Sequence, residues 1–444
     1  MNFDEAATYL LSLGHETLAM KLGLADIARL LEALGNPQHH FSAVQIAGTN
    51  GKGSTAIVLD AICRAATIDT GLYTSPHLVS ITERIKINGR QITPDSFARL
   101  TTLVRQRAEK LVQDKQLETL PTFFEHMTAI ALLAFREAGV QLAILETGLG
   151  GRLDATTVAG ARTVALTPIA MDHQEYLGET LAEIASEKAA IIRPGMNVII
   201  GPQLPEAMTV ILRQCDDAGV TPRLVESGTV VAATGDGRFR VNFKSPRDSY
   251  PDVQLDLPGR HQITNAAIAI ALAETLGNNG FVISHEAIIE GVESARHAGR
   301  LEFCEGRPRI LLDGAHNPAA ARALRAYCDE FIEAPLTLVF GGMRDKNLRE
   351  MLATLLPAAD QVILTAFANA RAANAKTLLR EMPADFPNGK VTFATSPVEA
   401  LRKALEQTPA EGMVCVTGSL YLVGEIQKLL TPGKDKRLAA DLRG

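Results

Sequence analysis

The chain of 444 residues has only five cysteines, Cys63, Cys215, Cys304, Cys328 and Cys415, scattered with no C-x-x-C pair among them. That usage argues against a disulfide framework and against a zinc site, and it fits a reducing, cytoplasmic setting. Positive charge is in short supply as well: 44 Lys and Arg stand against 50 Asp and Glu, a net charge of -6. Such a chain has no general attraction for nucleic acid or an anionic membrane, so any anion site must be built locally. Long apolar runs are missing. Stretches such as AAIAIALA at 266–273 fall far short of a membrane span, and the N-terminal MNFDEAATYLLSLGHE has acidic residues and no basic leader region. Neither a signal peptide nor an anchor is expected. There is no repeat of solenoid length and no low-complexity segment.

What is present is alternation, in a chain whose 46% hydrophobic content can fill two cores. SAVQIAG precedes the helical STAIVLDAICRAA, VQLAILE precedes a glycine-rich turn, and TVALTPI precedes LAEIASEKAAII. Strands followed by amphipathic helices predict a parallel sheet covered by helices. From about 225 to 257 short alternating pieces, GTVVAATGDGRFRVNFKS and DVQLDLPG, predict antiparallel strands inserted as a flap. At 296–308, RHAGRLEFCEGRPR, charge and glycine rise before further strand-helix units, RILLDGAH, LTLVFGG, QVILTAF and MVCVTGS. The expectation is an α/β protein with a P-loop domain over 1–297, mostly parallel with a small antiparallel flap. A smaller Rossmann-like α/β domain is expected over 298–444.

AGTNGKGST, residues 47–55, falls between a strand and a helix, where free backbone N–H groups can hold phosphate. The usual phosphate loop has glycine, four residues, then Gly-Lys-Ser/Thr. Here Ile46 stands six before Lys52, Gly48 only four before it, and Gly53 separates Lys52 from Ser54. Gly48, Gly51 and Gly53 still permit close backbone approach, Lys52 can place a cation on the β and γ oxygens, and Ser54 can face magnesium. The absence of G-x-G-x-x-G argues against a dinucleotide site.

Other residues carry chemistry by position. Glu146 ends VQLAILE beside Gly148, Gly150 and Gly151, where a magnesium ligand is expected, and His173 follows TVALTPI toward the same sheet edge. Lys188 falls on the apolar stripe of Leu181, Ile184, Ala185, Ile191 and Ile192. It either reaches water along that surface or is buried, neutral and able to form a carbamate with carbon dioxide. In PTFFEHMTAIALLAF, Thr122 and Glu125 read as a capping box ahead of a strongly apolar helix. Asn317 and Pro318 read as a helix cap and first position.

Together GTNGKGST, GLYTSPHL, ILETGLGGRLDATT, DHQEYLG, EKAAIIR, HQITNAA and DGAHNP resemble the folylpolyglutamate synthase and dihydrofolate synthase family of bifunctional bacterial type, relatives of the Mur ligases. The resemblance runs from about residue 20 to about 425 and implies ATP-dependent, ADP-forming ligation of L-glutamate to dihydropteroate or reduced folates through an acyl phosphate. It implies that Thr49, Asn50, Gly51, Lys52, Gly53, Ser54, Asn265, Arg300, Asp313 and His316 bind ATP. Ser75, Glu146 and His173, with Ser54 as a further ligand, would hold Mg2+, for which Mn2+ can substitute. Lys188 would be carbamylated and act in catalysis with Lys52 and Arg300. Lys21, Leu22, Gly23, Thr122, Phe123, Phe124, Glu125, Leu153, Asp154 and Ala155 would hold the pterin-bearing substrate. The other readings are a monofunctional folylpolyglutamate synthase, a cell-wall Mur ligase and a non-ligating nucleotide switch. The 47 residues before Gly48 are too few for the UDP-sugar domain of the second. A cytoplasmic monomer with small-molecule partners only is expected.

Overall fold

The computed structural model describes residues 1–14, 23–384 and 386–430. Lys21 and Leu22 therefore lie outside the described residues. The first sheet is built from β1 (Ser42–Ala47), β2 (Thr70–Tyr73), β3 (Ile85–Ile87), β4 (Arg90–Gln91), β5 (Leu142–Glu146), β6 (Thr163–Leu166), β7 (Asn197–Ile200) and β8 (Arg223–Leu224). Its order is β4-β3-β2-β5-β1-β6-β7-β8, parallel throughout except for the β2-β3-β4 edge. Every residue of β5 is buried, as expected of a strand covered on both faces by helices. Because β5, β1 and β6 are parallel neighbours, the turns that leave them open on one edge of the sheet.

The predicted flap is a three-stranded antiparallel sheet, β9 (Thr229–Ala233), β10 (Phe239–Lys244) and β11 (Ser249–Leu255). Along β10, Phe239, Val241 and Phe243 turn inward and join the core beneath the loop helix Lys52–Ala65, so the flap is fixed to the first sheet by ordinary apolar burial. A second sheet holds β12 (Glu302–Cys304), β13 (Arg309–Leu312), β14 (Leu336–Phe340), β15 (Gln361–Thr365), β16 (Val391–Ala394) and β17 (Met413–Thr417), in the order β12-β13-β17-β14-β15-β16. All its pairings are parallel except that of β12 with β13. Among the described residues no helix is long and apolar enough to cross a membrane.

The two sheets meet through a backbone contact. Gly424, in the helix Leu420–Leu430, lies against Leu78 so closely that a Cβ there would overlap the Leu78 carbonyl oxygen, and a Cβ at Gly299 would stand 2.8 Å from a Leu78 methyl carbon. At Gly424 the neighbour is backbone and cannot be displaced as a flexible side-chain tip could. Gly424→Ala is therefore expected to cost about 1–3 kcal/mol of unfolding free energy, the usual range for overpacking, read as a lower denaturant midpoint; an unchanged midpoint would show that the contact yields freely.

Candidate active site

The carboxyl edges of the two sheets face each other across one cavity of about 660 Å³. Its floor is the glycine loop. A Cβ at Gly48 would overlap Thr167 and one at Gly51 would overlap the Asn265 amide, so only glycine lets the loop lie this low. Both also have positive φ, 148° and 88°, a conformation that favours glycine. The turn after β6 grips the loop from beside it: Thr49 and Asn50 donate their N–H groups to Pro168 O at 3.1 and 3.2 Å. The Thr49 hydroxyl donates to Ala170 O at 3.0 Å and accepts from Ala170 N at 3.1 Å. Lys52 begins the following helix and donates to Thr49 O at 3.2 Å.

Lys188 lies on the buried face of the helix Leu181–Ala189 and donates to Gly48 O at 2.8 Å. Burial, then the nearby Lys52 charge, lowers its ammonium to about 7. Glu146 closes the opposite side, with one carboxylate oxygen accepting from Ser75 N at 3.0 Å. Burial raises its carboxyl above the ordinary range against the pull of Lys52, the Ser75 N–H, Arg300 and Arg84. The Ser54 hydroxyl, also on the cavity wall, meets His297 Nδ1 at 3.0 Å.

His173 reaches the same cavity but belongs to a different cluster. It has φ 52°, held by its N–H donating to Asp172 Oδ1 at 2.9 Å, and its Nε2 lies 3.1 Å from the Lys346 ammonium. Lys346 in turn pairs with Asp172 at 2.5 Å, with both side chains only 7% exposed, so this ion pair between the two sheets is shielded from water. Asn317 extends the link, donating to Asp172 Oδ2 and Asn50 Oδ1 at 3.0 Å each. Burial by itself would raise the Asp172 carboxyl, but Lys346, with His173 and His316, holds it well below the usual carboxylate range. Burial lowers the His173 ring to about 3 and the His316 ring to about 4. Ser54, Ser75, Glu146 and His173 all line the cavity, but Glu146 is bonded to Ser75 while His173 is engaged with Asp172 and Lys346.

From the second sheet, Arg300 Nη1 donates to Gly314 O at 3.3 Å, and His316 Nδ1 sits 2.8 Å from the same carbonyl. Asp313 accepts from Leu301 N at 3.0 Å and Ala315 N at 2.9 Å, tying the Arg300 turn to the end of β13. Asn265 is buried, receives the Gly51 turn and donates to Gln262 at 2.9 Å. These groups bring cationic and polar atoms to the loop from above.

The third wall is the start of the helix Phe123–Ala138. Thr122 and Glu125 form a full capping box, in which the Thr122 N–H and hydroxyl donate to Glu125 at 2.7 and 2.9 Å. Phe124 lines the cavity, fits against Gly148, where a Cβ would stand 2.5 Å from its ring, and tilts toward Tyr73 at 5.8 Å. Phe123 does not line it. One step around the helix, that ring turns into the core under the Arg84 guanidinium at 5.3 Å. Gly23, Leu153 and Ala155 line the cavity, Leu153 at 42% exposure. Asp154 also borders it, yet its carboxylate is occupied in shaping the turn, accepting from Gly148 N, Leu149 N and Thr156 N.

Three contributors escaped the sequence reading. Asp172 stood inside DHQEYLG beside His173, and Lys346 lies in the turn that leaves β14 after LTLVFGG. His297 lay in a charged stretch read only as a boundary.

The Mur ligase middle domain family model matches residues 46–273, and that of the dihydrofolate synthetase C-terminal domain matches 301–429. A probable bifunctional folylpolyglutamate synthase/dihydropteroate synthase of Halobacterium salinarum is 37% identical over 96% of this chain, which spans about half, 51%, of that relative's length. The dihydrofolate synthase/folylpolyglutamate synthase of Bacillus subtilis is 33% identical, with 94% of this chain and 97% of the relative covered. Among solved structures, Mycobacterium tuberculosis folylpolyglutamate synthase complexed with ADP superposes with a TM-score of 0.88 at 31% identity, covering 98% of both chains. Escherichia coli FolC in complex with DHPP and ADP gives 0.84 at 30%, covering 97% and 98%. The bifunctional Yersinia pestis enzyme with Mn, AMPPNP and L-glutamate bound gives 0.82 at 28%, covering 96% and 98%.

The buried Lys188 ammonium makes stability depend on pH. Its pKa falls from 10.5 to about 7 on folding, so the cost of burying the charge is fully present below 7 and is relieved as pH rises toward 10.5. In bicarbonate-free buffer, the unfolding free energy of the wild type relative to Lys188→Met is expected to rise above pH 7, by about 1 kcal/mol per pH unit. Denaturant titrations at successive pH values measure it, and a flat difference would contradict a neutral buried amine.

Proposed function

The chain belongs to the folylpolyglutamate synthase/dihydrofolate synthase family, and we propose that it joins L-glutamate to dihydropteroate and to reduced folates in an ATP-dependent, ADP-forming reaction. The observation that carries this reading is the opposition of the glycine loop, with Lys52, to Arg300 and His316 across one cavity whose third wall is Phe124. In the first step a carboxylate oxygen of the pteroyl substrate takes the γ-phosphoryl group of ATP, giving an acyl phosphate and ADP. The glutamate nitrogen then attacks the acyl carbon, phosphate leaves with the C–O bond, and the nitrogen loses its proton. Lys52 and the N–H groups at the helix start stabilise charge on the transferring phosphoryl group, and Arg300 does so from the other sheet. Thr49, Asn50, Gly51, Gly53, Asn265, Asp313 and His316 shape the nucleotide site. Gly23, Thr122, Phe124, Glu125, Leu153, Asp154 and Ala155 shape the pterin end, the carboxylates of Glu125 and Asp154 by fixing the backbone.

The oxygen donors of Ser54, Ser75 and Glu146 fit a hard divalent cation. Held there, Mg2+ or Mn2+ would neutralise phosphate charge. His173, whose Nε2 meets the Lys346 ammonium at 3.1 Å, would be a further donor. Lys188, buried with a pKa near 7, has the neutral amine that carbamate formation requires: the nitrogen bonds the carbon of CO2 and sheds a proton, leaving an anion beside the loop. We place the domain boundary at 298 and read the protein as a cytoplasmic monomer working on small molecules, with no nucleic-acid or membrane partner.

Incubation with ATP, Mg2+, glutamate and dihydropteroate or tetrahydrofolate is expected to give one added glutamate by mass, with ADP and phosphate as co-products. Lys52→Ala should lower turnover by about a hundredfold or more with the fold intact. Phe124→Ala should weaken dihydropteroate use more than folate use. Formation of AMP and pyrophosphate would refute the acyl phosphate route, and elongation of tetrahydrofolate without any product from dihydropteroate would restrict the activity to polyglutamylation.

A further inference from the structure

His297 stands between the helix His285–Ser294 and β12, three residues before Arg300, in the segment that joins the two halves of the chain. Its ring leaves that segment and crosses to the loop helix, where Nδ1 lies 3.0 Å from the Ser54 hydroxyl. Gly53 explains how the crossing is possible. A Cβ there would stand 3.2 Å from His297 Cε1 and 3.2 Å from Glu146 Oε2, so the imidazole and the carboxylate pass over the same bare backbone. The glycine between Lys52 and Ser54, the irregularity of this phosphate loop, thus makes room for two side chains that converge on one end of the cavity.

We propose that His297 is a positioning residue that orients the Ser54 hydroxyl toward the metal–phosphate end of the site and so couples the joining segment to the loop. With the ring proton on Nε2, Nδ1 accepts the Ser54 hydrogen, and the oxygen lone pairs are left for a cation in the cavity. A hydroxyl without that acceptor rotates freely and presents a lone pair only part of the time. The inference rests on the nucleotide reading above and concerns how the loop is held ready.

The test is Mn2+ binding, followed by the spin-resonance signal of the free ion, to protein saturated with ADP. His297→Leu is expected to weaken Mn2+ binding about tenfold, the low end of what losing an outer partner of a metal-bound group costs, while ADP affinity in EDTA stays at the wild-type value. His297→Asn, which keeps an acceptor near the Nδ1 position, should recover most of the loss. In a Ser54→Ala background the leucine change should add nothing further. Equal Mn2+ affinity in the wild type and His297→Leu would overturn the inference, as would an undiminished leucine effect in the Ser54→Ala protein. Should the leucine variant not fold, wild-type Mn2+ affinity in Ser54→Ala alone would also overturn it, because the effect is routed through that hydroxyl. Failure of the wild type to bind Mn2+ with ADP would instead overturn the nucleotide reading, and this inference with it.

Discussion

The site depends on how closely backbone can approach backbone at the start of the helix Lys52–Ala65. The turn after β6 presses against Gly48, and Asn265 against Gly51, leaving no space for a side chain at either position. Parallel pairing of β1 with β6 brings these segments side by side, and the Pro168 carbonyl then takes two consecutive loop N–H groups. A loop held in this way needs no ligand to keep its shape, so phosphate can meet N–H groups already organised to receive it.

Charges of both signs gather around that loop. Lys52, Lys188, Arg300 and Lys346 surround the cavity, with Glu146 and Asp172 set among them. The compensation is uneven. Asp172 is held ionised by an ammonium at 2.5 Å, whereas Glu146 is raised by its burial against the pull of Lys52. Lys188 is likewise pushed toward its neutral form. One carboxylate is thus committed to structure, while a second carboxylate and an amine are left chemically responsive near the loop.

The two halves of the chain are joined by contacts that differ in kind. Gly424 against Leu78 is steric, Lys346 with Asp172 is ionic, and the Asn50–Asn317 pair joins loop to helix cap by hydrogen bonds at 3.0 and 3.4 Å. The ionic and amide contacts lie at the cavity rim, where they fix the distance between the loop and the nucleotide-facing residues of the second sheet. A buried ion pair at such a junction favours one relative placement of the halves, since parting it slightly leaves two charges desolvated and unpaired.

Local pattern alone determined the strand-loop-helix order, the antiparallel insertion, the Thr122–Glu125 capping box and the apolar stripe that carries Lys188, because each rests on side-chain period, caps or glycine within one short segment. The alternation of strand and helix also placed Glu146 at the edge where a site had to be, since parallel strands release their turns on the same side. Tertiary structure decided what those segments meet. Asp172 and Lys346 are 174 residues apart and Ser54 and His297 are 243 apart, and no local periodicity links such positions. Adjacent phenylalanines 123 and 124 look alike in sequence, yet the helix turns one into the core and the other onto the cavity wall. The extra glycine of the phosphate loop was visible from the start, but the two side chains that pass close over Gly53 are apparent only once Glu146 and His297 are folded to the same place.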